Sequence, residues 1–120
     1  MRGLIFTILT SWALFAQTPT SAPPGNAQNG RKLFENYGCY QCHGRQGQGG
    51  SAAPVGSYGP RLAPPTIPVE ALRAYVRHPS GGMPPYTAKV LSNSEIDDIY
   101  AFLKTIAAPK PVKDIPLLNQ

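Results

Sequence analysis

Cysteine is nearly absent from this 120-residue chain: Cys39 and Cys42 are the only two, which leaves room for one bridge at most. Methionine is as scarce, Met83 being the only one besides Met1. With four Phe and one Trp there is little bulky material for a large core. Charged residues make up 14% of the chain, and the basic ones are scattered, with no basic-and-aromatic stripe of the kind that binds nucleic acid. No alternating pattern of the kind a strand needs is sustained, and there is no internal repeat. What the chain has in quantity is proline, fourteen residues, and glycine, twelve, both of which punctuate turns. The length fits one domain, and a domain with so little to bury calls for a staple such as a disulfide, a metal or a bound cofactor.

The N-terminus reads as an address. Arg2 gives a positive start, Gly3 to Phe15 is mostly apolar, and Ala16 is a suitable cleavage point. This is the layout of a secretory signal peptide over residues 1–16, too short and too broken by Thr and Ser for a membrane span. The alternative is an uncleaved anchor through residues 3–16, the one route by which the chain would meet a membrane. Export, to the periplasm of a bacterium, is the expectation. Cleavage removes only Arg2 from the charged set. The modest basic excess that remains is either a solvated surface or a means of steering towards an acidic partner.

Residues 17–26 (QTPTSAPPGN) form a flexible linker. A domain over 27–107 follows, then an extended tail over 108–120. Ala27, Gly30, Phe34 and Tyr37 recur at three- and four-residue steps, so they share one helical face that Gly38 stops. Gly30 on that face lets another helix come close. Residues 44–66 are rich in Gly and Pro and read as a loop too long to stand alone, one that gains order by wrapping something. A second helix is predicted over Pro68 to Arg77, with proline at its first position and Pro79 forbidding continuation. A third runs over Asn93 to Ala107, with Ser92 and Glu95 as a capping box, Ile96, Ile99, Tyr100, Leu103 and Ile106 as its apolar stripe, and Pro109 as its stop.

The chemistry lies in Cys39-Tyr40-Gln41-Cys42-His43. Two thiols three positions apart can each add to one vinyl group of a haem, and the histidine that follows lies where its imidazole reaches the iron, the c-type attachment pattern. Three other uses of these residues compete. A redox-active pair of the thioredoxin kind needs strands around it, and none are visible. A plain structural disulfide suits an exported chain. A zinc site lacks a fourth ligand at finger spacing.

Haem iron in an electron carrier takes a second protein ligand, and Met83 stands in Gly81-Gly82-Met83-Pro84-Pro85-Tyr86. The glycines let the backbone bend near the cofactor and the prolines stiffen the segment. A thioether opposite an imidazole favours ferrous iron and raises the reduction potential. A lone methionine can equally be core filler. His78, before Pro79, is the competing sixth ligand.

The order Cys39–Cys42–His43, Gly59-Pro60-Arg61-Leu62, Met83-Pro84 and Phe102-Leu103 resembles class I cytochrome c over nearly all of residues 27–107. The resemblance implies a small all-α fold, three main helices plus loops wrapped around one covalent haem c, in which the first and last helices cross with Gly30 and Phe34 against Phe102. It implies that the carbonyl of Pro60 accepts the other N–H of His43, that Leu62 packs on the haem, and that Arg61 or Tyr58 approaches a propionate. Met83 follows His43 by only 40 positions, so the loop over the lower haem edge is short and more of that edge meets solvent or a partner.

The expected function is one-electron transfer by an electron-transfer protein rather than an enzyme. Cys39 and Cys42 anchor the haem, His43 and Met83 bind its iron, and Pro60, Arg61 and Leu62 support it. Partners are a redox donor and acceptor, with the chain either a soluble shuttle or the electron-accepting subunit of a dehydrogenase or oxidase complex. The Pro-rich tail with Ile115, Leu117 and Leu118 is a candidate docking segment. The competing function is a haem enzyme with an open sixth position, for which only His78 offers a distal group.

Overall fold

Asn26 opens the first helix: its side chain accepts a hydrogen bond from the backbone N–H of Asn29 at 3.0 Å, satisfying one of the donors a helix start leaves unpaired. The computed structural model describes residues 25–50 and 59–119, so the signal segment 1–16, most of the 17–26 linker and Tyr58 lie outside the described residues. Helix α1 spans Ala27–Asn36 and buries Gly30 and Phe34, the face that the spacing marks out. Gly38, at φ 75°, ends it in the left-handed conformation open to glycine. A short helix α2, Cys39–His43, starts at once. Its five residues are too few to show a helical period, so the sequence pattern does not reveal it.

Helix α3 spans Val69–Arg77, one residue shorter at its start than expected. Pro68 is its cap rather than its first residue, with an extended ψ of 158° and a carbonyl that accepts from the N–H groups of Ala71 and Leu72. Helix α4 spans Asn93–Lys104 and has the predicted capping box of Ser92 and Glu95. It stops at Lys104, three residues short of the expected Ala107. The N–H and the hydroxyl of Thr105 both donate to the carbonyl of Phe102, at 2.9 and 2.7 Å, which tightens the last turn and closes the helix before Pro109 is reached. The tail is not simply extended: Val112–Asp114 and Pro116–Leu118 form two 3-10 turns, tied by the Asn119 amide to the carbonyls of Val112 and Ile115.

The core is small and lies where α1 meets α4: Phe34, Ala63, Val76, Leu91, Ile96, Ile99, Phe102 and Leu103. The Phe34 and Phe102 rings pack at 5.7 Å between centroids, tilted by 56°. A Cβ on Gly30 would sit 1.8 Å from the carbonyl oxygen of Asp98, so the two helix backbones touch there as the sequence suggested. Asp98 then ties the start of α1 to α4, its carboxylate accepting from the Asn26 N–H at 2.6 Å and the Asn29 amide at 2.7 Å. On the other side of α4, Arg73 from α3 grips Asp97 with two parallel bonds of 2.8 and 2.6 Å. The fold is a small all-α one, with no strand among the described residues.

Candidate haem site

Helix α2 sets the two cysteines and His43 on a single five-residue segment, and the loop after it folds back to fix the histidine. His43 is 8% exposed, and its Nδ1 lies 2.8 Å from the carbonyl oxygen of Pro60. That carbonyl can only accept, so Nδ1 carries the proton and Nε2 keeps a free lone pair. Among the described residues no polar group meets Nε2. The loop is pinned by Gly59 N–H donating to the Cys42 carbonyl at 2.9 Å and Gly49 N–H donating to that of His43 at 2.8 Å. A Cβ on Gly59 would fall 2.6 Å from His43 Nδ1 and 2.7 Å from the Cys42 oxygen. Only glycine lets Pro60 come this close to the imidazole.

Cys39 and Cys42 are free thiols, both partly buried. Burial pushes the Cys39 thiol up to about 11, with its neighbour Cys42 adding to the rise. A dithiol of the thioredoxin kind works through a lowered thiol pKa, so Cys39 is shifted against that use. Zinc is no better served: no three His, Cys, Asp or Glu side chains converge into a metal-holding group among the described residues.

The Pro60 carbonyl is the group that His43 Nδ1 meets. Leu62 is anchored through its N–H, which donates to the Gly47 carbonyl at 2.7 Å, and its side chain packs, half-buried, against the core. Arg61 is exposed and turns back on its own loop, donating from Nη1 to the Ala63 carbonyl at 2.9 Å. Met83 is half-buried and packs against the same core. His78 is exposed at the end of α3.

Residues 78–92 form a strap, and its fastening is what sequence reasoning missed. Near one end the Ser80 hydroxyl meets the Tyr75 hydroxyl at 2.9 Å. At the other, Tyr86 N–H donates to the Val76 carbonyl at 3.0 Å and the Tyr86 hydroxyl donates to the Tyr37 carbonyl at 2.8 Å. The Tyr37 hydroxyl in turn donates to the Val90 carbonyl at 2.6 Å. Arg77 holds three points at once: the carbonyls of Tyr86 at 2.8 Å and Leu91 at 2.7 Å, and the Asn93 side-chain oxygen at 2.9 Å. In sequence, Arg77 reads only as a basic residue at a helix end.

These residues fit a covalently held haem. The donor set is two thiols and an imidazole with an open Nε2. Cys39, Tyr40, Leu62 and Met83 are each half-buried and packed against the core, with apolar surface left to cover. An all-α domain with this site is a c-type cytochrome domain. The family model described as cytochrome c oxidase, cbb3-type, subunit III matches residues 25–103, and the chain belongs to that family. It is an electron-transfer protein with covalently bound haem c. No match was found among curated proteins or among solved structures. Domains of this class are typically exported, and no helix among the described residues is long and apolar enough to cross a membrane.

Proposed function

We propose that this domain relays single electrons through one haem c held by thioethers from Cys39 and Cys42, with His43 Nε2 and Met83 sulfur as axial ligands. Attachment adds each S–H across a vinyl group: an S–C bond forms, the hydrogen goes to the other vinyl carbon, and no outside oxidant is consumed. The bound iron supplies a one-electron ferric/ferrous couple. The protein's part is to orient its ligands. The observation that carries the reading is the 2.8 Å contact of His43 Nδ1 with the Pro60 carbonyl, which leaves Nε2 as the ring's remaining donor atom. Met83 rather than His78 is the second ligand, because it packs half-buried on the same core as Cys39 and Leu62 while His78 faces solvent. Arg61, held to Ala63 at the surface of the loop, and Leu62 beneath it support the haem from the His43 side.

The chain is exported behind segment 1–16, whose cleavage leaves the 17–26 linker ahead of the domain. The family description points to an oxidase complex as the electron acceptor, with the chain its docking subunit or the shuttle that feeds it. Co-purification on a tagged holoprotein separates these two. The ligand assignment is tested by absorption spectra of the holoprotein, oxidised and reduced. We expect a sharp reduced α-band and a weak near-infrared sulfur-to-iron band that Met83→Ala abolishes while covalent haem remains. A wild-type spectrum with no such band would move the sixth ligand to His78 or leave the position open.

A further inference from the structure

We infer that Arg77 is the positioning residue that holds the Met83 strap, and thereby sets how readily another ligand displaces Met83 from iron. The inference rests on the ligand assignment just proposed and names what makes that ligand stay. Of residues 78–92 only Leu91 is buried, and Met83 and Tyr86 are half-buried against the core, so directional bonds carry much of the strap's position. Its backbone between Ser80 and Tyr86 makes no bond to the rest of the protein among the described residues, and a Cβ on Gly81 or Gly82 would meet nothing within 4 Å. Met83 is thus suspended between two fastenings; on its C-terminal side Tyr86 is also held by Val76 and Tyr37, and Arg77 is the side chain there that bonds both Tyr86 and the entry to α4.

The guanidinium reaches three acceptors on three separate residues: the carbonyls of Tyr86 and Leu91 and the Asn93 side chain. Tyr86 lies three positions beyond Met83, and Leu91 and Asn93 flank the turn into α4. One rigid, always-charged fork therefore fixes both the place where the strap leaves the Met83 bend and the place where it joins the last helix. Lysine keeps the charge but is a single point on a flexible stem, unable to span acceptors so placed. Each of these bonds comes from an ionised donor, the stronger class of hydrogen bond. Loosening them lets the strap lift while the α1–α4 packing at Gly30, Phe34 and Phe102, to which Arg77 makes no hydrogen bond, stays in place.

The test is titration of the ferric holoprotein with imidazole, followed by loss of the near-infrared band, in wild type, Arg77→Lys and Arg73→Lys. Arg73 makes an equally well-formed pair with Asp97 but joins α3 to α4 and leaves the strap alone. In Arg77→Lys we expect covalent haem and the reduced α-band to persist. Half-displacement should come at an imidazole concentration about tenfold or more below that of wild type, equivalent to about 1.4 kcal/mol. Arg73→Lys should lower thermal stability and leave the displacement midpoint near that of wild type. Equal midpoints in wild type and Arg77→Lys overturn the inference, and so do equal shifts in both variants, because the effect would then be global loosening. A wild type without the band overturns the ligand assignment itself, a result visible before any variant is made. Should Arg77→Lys not accumulate as holoprotein, Asn93→Ala removes one of the three acceptors and keeps the arginine. A smaller shift in the same direction then supports the clamp, and no shift overturns it.

Discussion

Where α1 meets α4, apolar side chains interlock and the two backbones touch at Gly30. In residues 78–92 a single residue is buried, and the chain hangs from the side chains of Tyr37, Tyr75, Arg77 and Tyr86. Packing holds the first region and directional polar bonds hold the second. Packed contacts are many and individually weak, so they give a joint with one arrangement. Polar tethers are few and separable, so they give a segment whose position can be altered one bond at a time. The loop around His43 belongs with the second region: residues 44–50 and 59–66 return to α2 through glycine and proline backbone rather than through a helical or strand ladder.

The strongest way to break this comparison is to remove the haem. The eight buried apolar residues among the described ones make a core too small to supply more than about 3–5 kcal/mol by itself. We expect Cys39→Ser/Cys42→Ser, expressed without covalent haem, to lose the ordered loop and strap and to melt without a cooperative transition by far-UV circular dichroism. A sharp transition in this variant would mean that the α1–α4 joint folds unaided, and the dependence would then be confined to the polar half.

Next in size is an insult to the packed joint alone. Gly30→Ala places a methyl group 1.8 Å from the Asp98 carbonyl, and backbone rather than a flexible side chain stands in its way. Overpacking of this kind costs about 3 kcal/mol. The holoprotein should melt correspondingly lower, while the near-infrared band and the imidazole midpoint stay close to wild type at 25 °C. Together with Arg77→Lys, which should move the midpoint more than the melting temperature, this makes a crossed pair. If both variants change both readouts alike, the two regions are one cooperative unit and the distinction falls.

The same division decides what is legible in the sequence. Packing leaves a periodic trace, so the spacing of Gly30, Phe34, Ile96, Ile99 and Leu103 alone marks them as facing residues, and the Ser92–Glu95 cap shows in its three-residue step. Cys39, Cys42 and His43 are legible because the covalent attachment proposed for them demands neighbouring residues in a fixed order. Pro60 is reachable only through family resemblance, since nothing local says that a proline carbonyl seventeen positions on will meet His43 Nδ1. Helix α2 is hidden by its brevity, the start of α3 shifts by one because Pro68 caps it through its carbonyl, and the end of α4 is set by Thr105 rather than by the more conspicuous Pro109. Arg77 leaves no trace at all. Its three acceptors are two backbone carbonyls and an amide spread over residues 86–93, and a carbonyl is the same at every position of the chain.

The smallest expected effect tests the place where strap and packed joint meet, the cap of α4. Ser92 N–H donates to the Glu95 carboxylate at 2.7 Å, and the Ser92 hydroxyl donates to it at 2.8 Å. These bonds to Ser92, with a minor one from the Tyr37 hydroxyl, hold the Glu95 carboxyl below its ordinary value of 4.5. A carboxylate favoured in the folded state adds stability that is fully present above its unfolded pKa and drains away as pH falls through the lowered folded one. Ser92→Ala should therefore cost about 1 kcal/mol at neutral pH, the usual worth of such a cap. Glu95→Gln should cost less, since the amide still accepts from the Ser92 N–H. The gap in melting temperature between wild type and Glu95→Gln holoprotein should be widest above the ordinary value of 4.5 and should narrow as pH falls through the lowered folded one. A gap that stays constant down to pH 3 would mean that the charge on Glu95 adds nothing, and that the cap works through geometry alone.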